Sequence, residues 1–144
     1  MLKSIPPIIG PDLLRILRAM GHGDEIAIVD ANYPADSAGP EIVRMDGLSA
    51  TDVLDAILTL MPLDTFVDEP ALGMEVVGST PGHREPIYDD FDAIITKHEP
   101  EMKLSAMERF AFYDRVKDAY AIVATGERRL YGNILLKKGI IRPE

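Results

Sequence analysis

The stretch Asp24-Glu25-Ile26-Ala27-Ile28-Val29-Asp30 decides how this chain folds. Four consecutive apolar residues without alternation describe a strand covered on both faces, as in a parallel sheet, and Asp30 closes it. Ala121-Ile122-Val123-Ala124 repeats the pattern, and Ile134-Leu135-Leu136 supplies a third run. Helical spacing occupies the intervals. Gly10-Pro11 opens a first helix carrying Leu13, Ile16, Leu17 and Met20, with Pro11 in the first turn where its missing N–H is no loss, and Gly21 ends it. Ser49 and Asp52 resemble a capping box ahead of Val53, Leu54, Ile57 and Leu58. Tyr88, Phe91, Ile94 and Ile95 mark a third helix. Ser105 with Glu108 caps a fourth, bearing Phe110, Phe112, Tyr113 and Val116. Leu63–Val67 and Leu72–Val77 read as further strands, while the segment from Asp30 to about Gly47 and that from Gly78 to Pro86 read as loops. Strands alternating with helices give a single α/β layered domain over residues 1–144, its largely parallel sheet flanked by helices.

Composition narrows the function. A net charge of −9 and a pI near 4.7 disfavour nucleic acid and anionic membrane surfaces, whose phosphates need a basic face. A neutral small molecule fits better. The absence of cysteine removes disulfides, thiolate metal sites and thiol nucleophiles. No segment approaches the roughly 20 apolar residues of a membrane helix. The N-terminus, broken by Pro6-Pro7, does not read as a signal peptide, so the expected location is cytoplasmic.

Ligands of open α/β sheets sit beyond the carboxyl ends of the strands, which makes Asp30 a candidate; the alternative is that its carboxylate merely caps a turn. His22 lies between two glycines, where the backbone bends closely and an imidazole can act as general acid or base. Gly21-His22-Gly23 follows a helix and opens a strand, the reverse of a dinucleotide fingerprint, and Thr125–Arg129 lacks a P-loop's spacing. His83 and His98 share no ligand spacing and are read as surface residues, so no metal centre is expected. Tyr131-Gly132-Asn133 combines an aromatic face, a position without a side chain and an amide that both donates and accepts, a set suited to a sugar. Arg109 offers several fixed donors, although an arginine in a helix's first turn is more often simply solvated.

Those residues fall in three ordered blocks. The first is Gly21–Ile26 continuing into Asp30-Ala31-Asn32-Tyr33-Pro34-Ala35, and the second runs from Gly39-Pro40 to Asp46-Gly47-Leu48. The third joins Glu108–Tyr113, Ala121–Glu127 and Tyr131–Gly139. Together they resemble the L-fucose mutarotase family, part of a superfamily shared with D-ribose pyranase, across nearly the whole chain. The resemblance implies His22 as general acid, Asp30 and Arg109 as substrate-binding positions, and Tyr131-Gly132-Asn133 as a substrate-contacting strip. Tyr113 or Tyr131 is expected to cover an apolar face of the sugar, near the methyl group. Arginine at Arg109 looks like the fucose branch, since the pyranase branch tends to carry histidine there. Asn32 stands where some members carry histidine, and Tyr33 where phenylalanine is usual. The implied activity is interconversion of the anomers of a free monosaccharide, L-fucose, without cofactor, by a ring-shaped homo-oligomer, a decamer. The competing readings are pyranose–furanose interconversion of ribose and a non-catalytic sugar-binding subunit.

Overall fold

The computed structural model describes residues 1–144. Its elements, in chain order, are α1 (Pro11–Ala19), β1 (Glu25–Val29), β2 (Glu41–Met45), α2 (Ala50–Leu60), β3 (Ala71–Met74), α3 (Pro86–His98), β4 (Ser105–Met107), α4 (Arg109–Lys117), β5 (Ala121–Thr125) and β6 (Ile134–Lys137). One sheet holds all six strands in the order β2-β5-β1-β6-β3-β4.

Continuous apolar strands arise because both sheet faces are buried, and the alternation of side chains sorts them into two cores. Ile26 and Ile28 point with Val123, Ile134 and Leu136 into a large core beneath α1, α2 and α3. Ala27 and Val29 point with Ile122, Ala124 and Leu135 into a smaller core closed by Phe112 and Val116 of α4. Three helices thus cover one face and one helix the other.

Strand direction matters more for the site than layer order. β5 runs parallel to β1 and to β2, and β4 runs parallel to β3. β6 is antiparallel to both β1 and β3. The carboxyl ends of β1–β5 therefore share one sheet edge with the start of β6, and the opposite edge carries the entry to β1 and the exit of β6.

Several boundaries differ from the sequence reading. The expected loop before Gly47 contains β2, an edge strand in which Glu41 and Arg44 are exposed, so no buried run announced it. Leu63–Val67 is not a strand. Only Leu63 bridges, to Lys138, because Asp64 turns the chain by accepting the Phe66 N–H at 3.0 Å, and residues 65–69 are exposed. The strand expected over Leu72–Val77 stops at Met74. Ser105 opens β4 rather than capping α4. The cap is Glu108, whose carboxylate accepts the N–H groups of Phe110 and Ala111; here a tertiary pairing with β3 outcompetes the local box. Ser49 does cap α2, accepting from the Asp52 N–H. His98, read as a surface residue, is only 17% exposed and binds Asp55 at 2.7 Å, tying α3 to α2.

Candidate active site

Sheet topology gathers Asp30 (after β1), Asn133 (before β6), Met74 (end of β3) and Arg109 (after β4) at one edge. They line an open cleft of about 390 Å³ with Tyr33, Tyr113 and Tyr131, within the range of small-molecule sites. The lining is polar at Asp30, Asn32, Asn133 and Arg109 and aromatic or apolar elsewhere, a mixture that suits a ligand carrying both hydroxyls and C–H faces.

Asp30 is the fixed centre of the polar lining, 7% exposed. Its backbone N–H donates to Asn133 Oδ1 at 2.8 Å, and Asn133 Nδ2 donates back to Asp30 Oδ2 at 3.1 Å. Asp30 Oδ1 accepts the Asn32 N–H at 2.9 Å. The turn-capping and ligand-binding readings of Asp30 are therefore compatible: one carboxylate makes the Asx turn and still faces the cleft. Burial raises its pKa above the ordinary value, opposed by hydrogen bonds from Asn32, Asn133, Gly132 and Tyr33. The Asn133 amide, committed at both ends, keeps one N–H and one lone pair for a ligand.

Arg109 is the cation of the site. It makes no ion pair; its guanidinium lies 5.6 Å from the Tyr113 ring centre and 5.5 Å from that of Phe110. A guanidinium steadied by aromatic faces keeps its donors free. Tyr113 in turn packs on Tyr33, ring centres 5.3 Å apart. Burial, reinforced by the charges of Tyr113 and Asp30, drives the Tyr33 hydroxyl well above its usual pKa, leaving it a neutral donor. Tyr131 also lines the cleft, its hydroxyl accepting the Val77 N–H at 3.2 Å. Gly132 does not line the cleft. It is buried behind the wall, where a Cβ would come within 2.7 Å of Glu127 Cγ.

His22 is not in this cleft. It precedes β1 whereas Asp30 follows it, and at about 3.3 Å per residue the five-residue strand between them spans roughly 16 Å. His22 belongs to a second cluster at the opposite edge. Its Nε2 lies 3.0 Å from Oδ1 of Asp64, a carboxylate only 4% exposed, while His22 itself is 44% exposed. Burial pushes the Asp64 carboxyl up, but the Phe66 N–H and the His22 ring, aided by the charges of His22 and Lys137, prevail and hold it below the ordinary range. Phe66 packs beside the imidazole, ring centres 5.2 Å apart. A buried anion thus fixes the orientation of a half-exposed imidazole, and an imidazole so held is chemically suited to moving protons. Asp64 went unnoticed in the sequence: 42 residues separate it from His22, and it lay inside an expected strand.

The chain is an α/β protein of the RbsD / FucU transport protein family, whose model matches residues 3–141. Among its relatives, the fucose mutarotase of Bos taurus is 46% identical over 149 aligned residues that take in 100% of this chain and 97% of that protein. The fucose mutarotase of Streptococcus pneumoniae, solved in complex with L-fucose, superposes with a TM-score of 0.91 at 46% identity, covering 98% of this chain and 100% of that one. Bacillus subtilis RbsD, complexed with D-ribose, shares the fold with a TM-score of 0.71 at 21% identity, covering 99% and 100% of the two chains. No helix is long and apolar enough to cross a membrane.

Proposed function

We propose that this chain is an isomerase that interconverts the α and β anomers of free L-fucose in the cytoplasm, as a homo-oligomer whose catalytic centres each join the cleft of one copy to the His22 cluster of another. The observation that carries the reading is the cleft itself: a fixed Asp30–Asn133 pair, an unpaired Arg109 and a tyrosine-lined wall, in a chain 46% identical to a fucose mutarotase that binds L-fucose. The two-copy arrangement is supported by the strand separating His22 from Asp30 and by exposed apolar side chains beside both clusters. Phe66 is 61% exposed beside His22, and Leu130, at the cleft, is 63% exposed. Exposed apolar groups of this size favour burial against another surface.

Mutarotation moves only protons. An imidazolium donates its proton to the ring oxygen while the anomeric hydroxyl loses its own to a water or a tyrosine. The C1–O5 bond breaks, and the open-chain aldehyde turns about C1–C2. Reclosure on the other carbonyl face returns both protons. His22 supplies the imidazole; the Asp64 carboxylate holds its Nε2 and stabilises the protonated ring, leaving Nδ1 toward the sugar. Asp30, Asn133 and Arg109 hold the hydroxyls, and Tyr113 and Tyr131 cover the apolar face near the methyl group.

Saturation-transfer NMR between the anomeric protons of L-fucose, with ribose in parallel, tests this. Catalytic amounts of protein accelerate exchange of fucose more than ribose, and His22→Gln abolishes the acceleration while sparing binding. Sugar binding without accelerated exchange would replace the enzyme with a binding subunit.

A further inference from the structure

Tyr131 adopts φ +58°, a left-handed conformation that non-glycine residues seldom hold without outside support. The support is local and converges on one side chain. Glu127 is buried, its side chain 4% exposed, and every hydrogen bond its carboxylate accepts comes from a group that shapes this turn or the helix behind it. Oε1 accepts the Arg129 backbone N–H at 2.9 Å and Arg129 Nε at 3.0 Å; Oε2 accepts Arg129 Nη2 at 3.0 Å and the Ala50 N–H at the start of α2 at 3.2 Å. Arg129 continues outward to Asp90 of α3 and to Thr51 of α2. The main chain of Glu127 is pinned as well. Its N–H donates to Thr125 Oγ1, and its carbonyl accepts the N–H of Ala31, the residue after Asp30. The stem of Glu127 then packs against Gly132 so closely that no Cβ fits between them.

Resting on the mutarotase reading, we propose that Glu127 is the positioning residue of the sugar cleft: it holds the Arg129–Asn133 turn in the shape that presents Tyr131 and Asn133 to the sugar, and takes no part in proton transfer. It touches neither the cleft nor His22, so it governs sugar binding rather than the chemical step.

The test is Glu127→Gln. A glutamine keeps the volume but offers one oxygen where two are used, and its NH2 meets donors from Ala50 and Arg129. We expect KM for L-fucose to rise about tenfold with kcat within about twofold of wild type. The pH profile of kcat should stay that of the wild-type enzyme. Amide hydrogen exchange at Arg129 and Asn133 accelerates while Ile122–Ala124 in β5 stays protected. Should Glu127→Gln fail to fold, Arg129→Lys, which breaks the two-pronged guanidinium contact but keeps the charge, raises KM about threefold by the same route. A variant that loses thermal stability yet keeps wild-type KM overturns the proposal, as does a fall in kcat alone. If the wild-type protein exchanges no sugar, the mutarotase reading fails separately. Hydrogen exchange then judges the hold on the turn, and unchanged protection at Arg129 and Asn133 overturns it.

Discussion

If His22 and the cleft of one catalytic centre come from different copies, two inactive variants restore each other. His22→Gln keeps an intact cleft and Arg109→Ala keeps an intact imidazole. Unfolded together in equal amounts and refolded, they assemble at random. A centre is wild type only when its cleft comes from the first variant and its histidine from the second, so about one quarter of the centres recover. The structural basis is β1: its Glu25–Val29 span puts His22 and Asp30 at opposite sheet edges, so neither a side-chain rotamer nor a loop shift of a few ångströms joins them in one chain. The assay is the rate of α/β exchange of L-fucose for each variant alone, for both mixed after separate refolding, and for the co-refolded mixture. Exchange near one quarter of the wild-type rate in the co-refolded sample alone is the expected result. No activity above that of the parents in a correctly assembled mixture refutes the cross-copy centre.

Two further predictions concern stability. A Cβ on Gly126 would sit 1.9 Å from the Asp46 carbonyl oxygen. Gly126→Ala must therefore push apart the loops at the ends of β2 and β5, at a cost of about 1–3 kcal/mol, and calorimetry should find Tm lowered by roughly 3–10 °C. On acidification, Asp64 and Glu127 act together, since both carboxyls are held below their ordinary range. Their contribution is complete above the unfolded carboxylate pKa of about 4 and is lost as pH falls through the lower folded values. Asp30, shifted the other way by burial, takes up its proton earlier in the folded protein and opposes part of this loss. A scan of Tm from pH 7 to pH 3 should fall most steeply below about pH 4, and less steeply there for Glu127→Gln; a flat profile contradicts the assignment.

Residue order alone determined the α/β layering, because unbroken apolar runs such as Ile26–Val29 and Ala121–Ala124 are compatible only with strands covered on both faces. It also singled out Asp30, Arg109, Tyr131 and Asn133 by their chemistry, and the family resemblance added Tyr113; the structure brings all five into one cleft. Chemically distinctive side chains at strand ends carry a local signal. Three things had no such signal. β2 escaped notice because an edge strand buries too little to show a period, and β4 because Ser105 and Glu108 spelled a helix cap whose first residue the sheet claimed. Gly132, read as part of the sugar strip, lies behind it, since only packing against Glu127 reveals which face of the turn is inward. The division between the His22–Asp64 pair and the Asp30 cleft was decided by tertiary structure alone. His22 and Asp30 are close in sequence, but an extended strand carries the chain from one edge of the sheet to the other, and direction through a sheet is settled only when the strands pair.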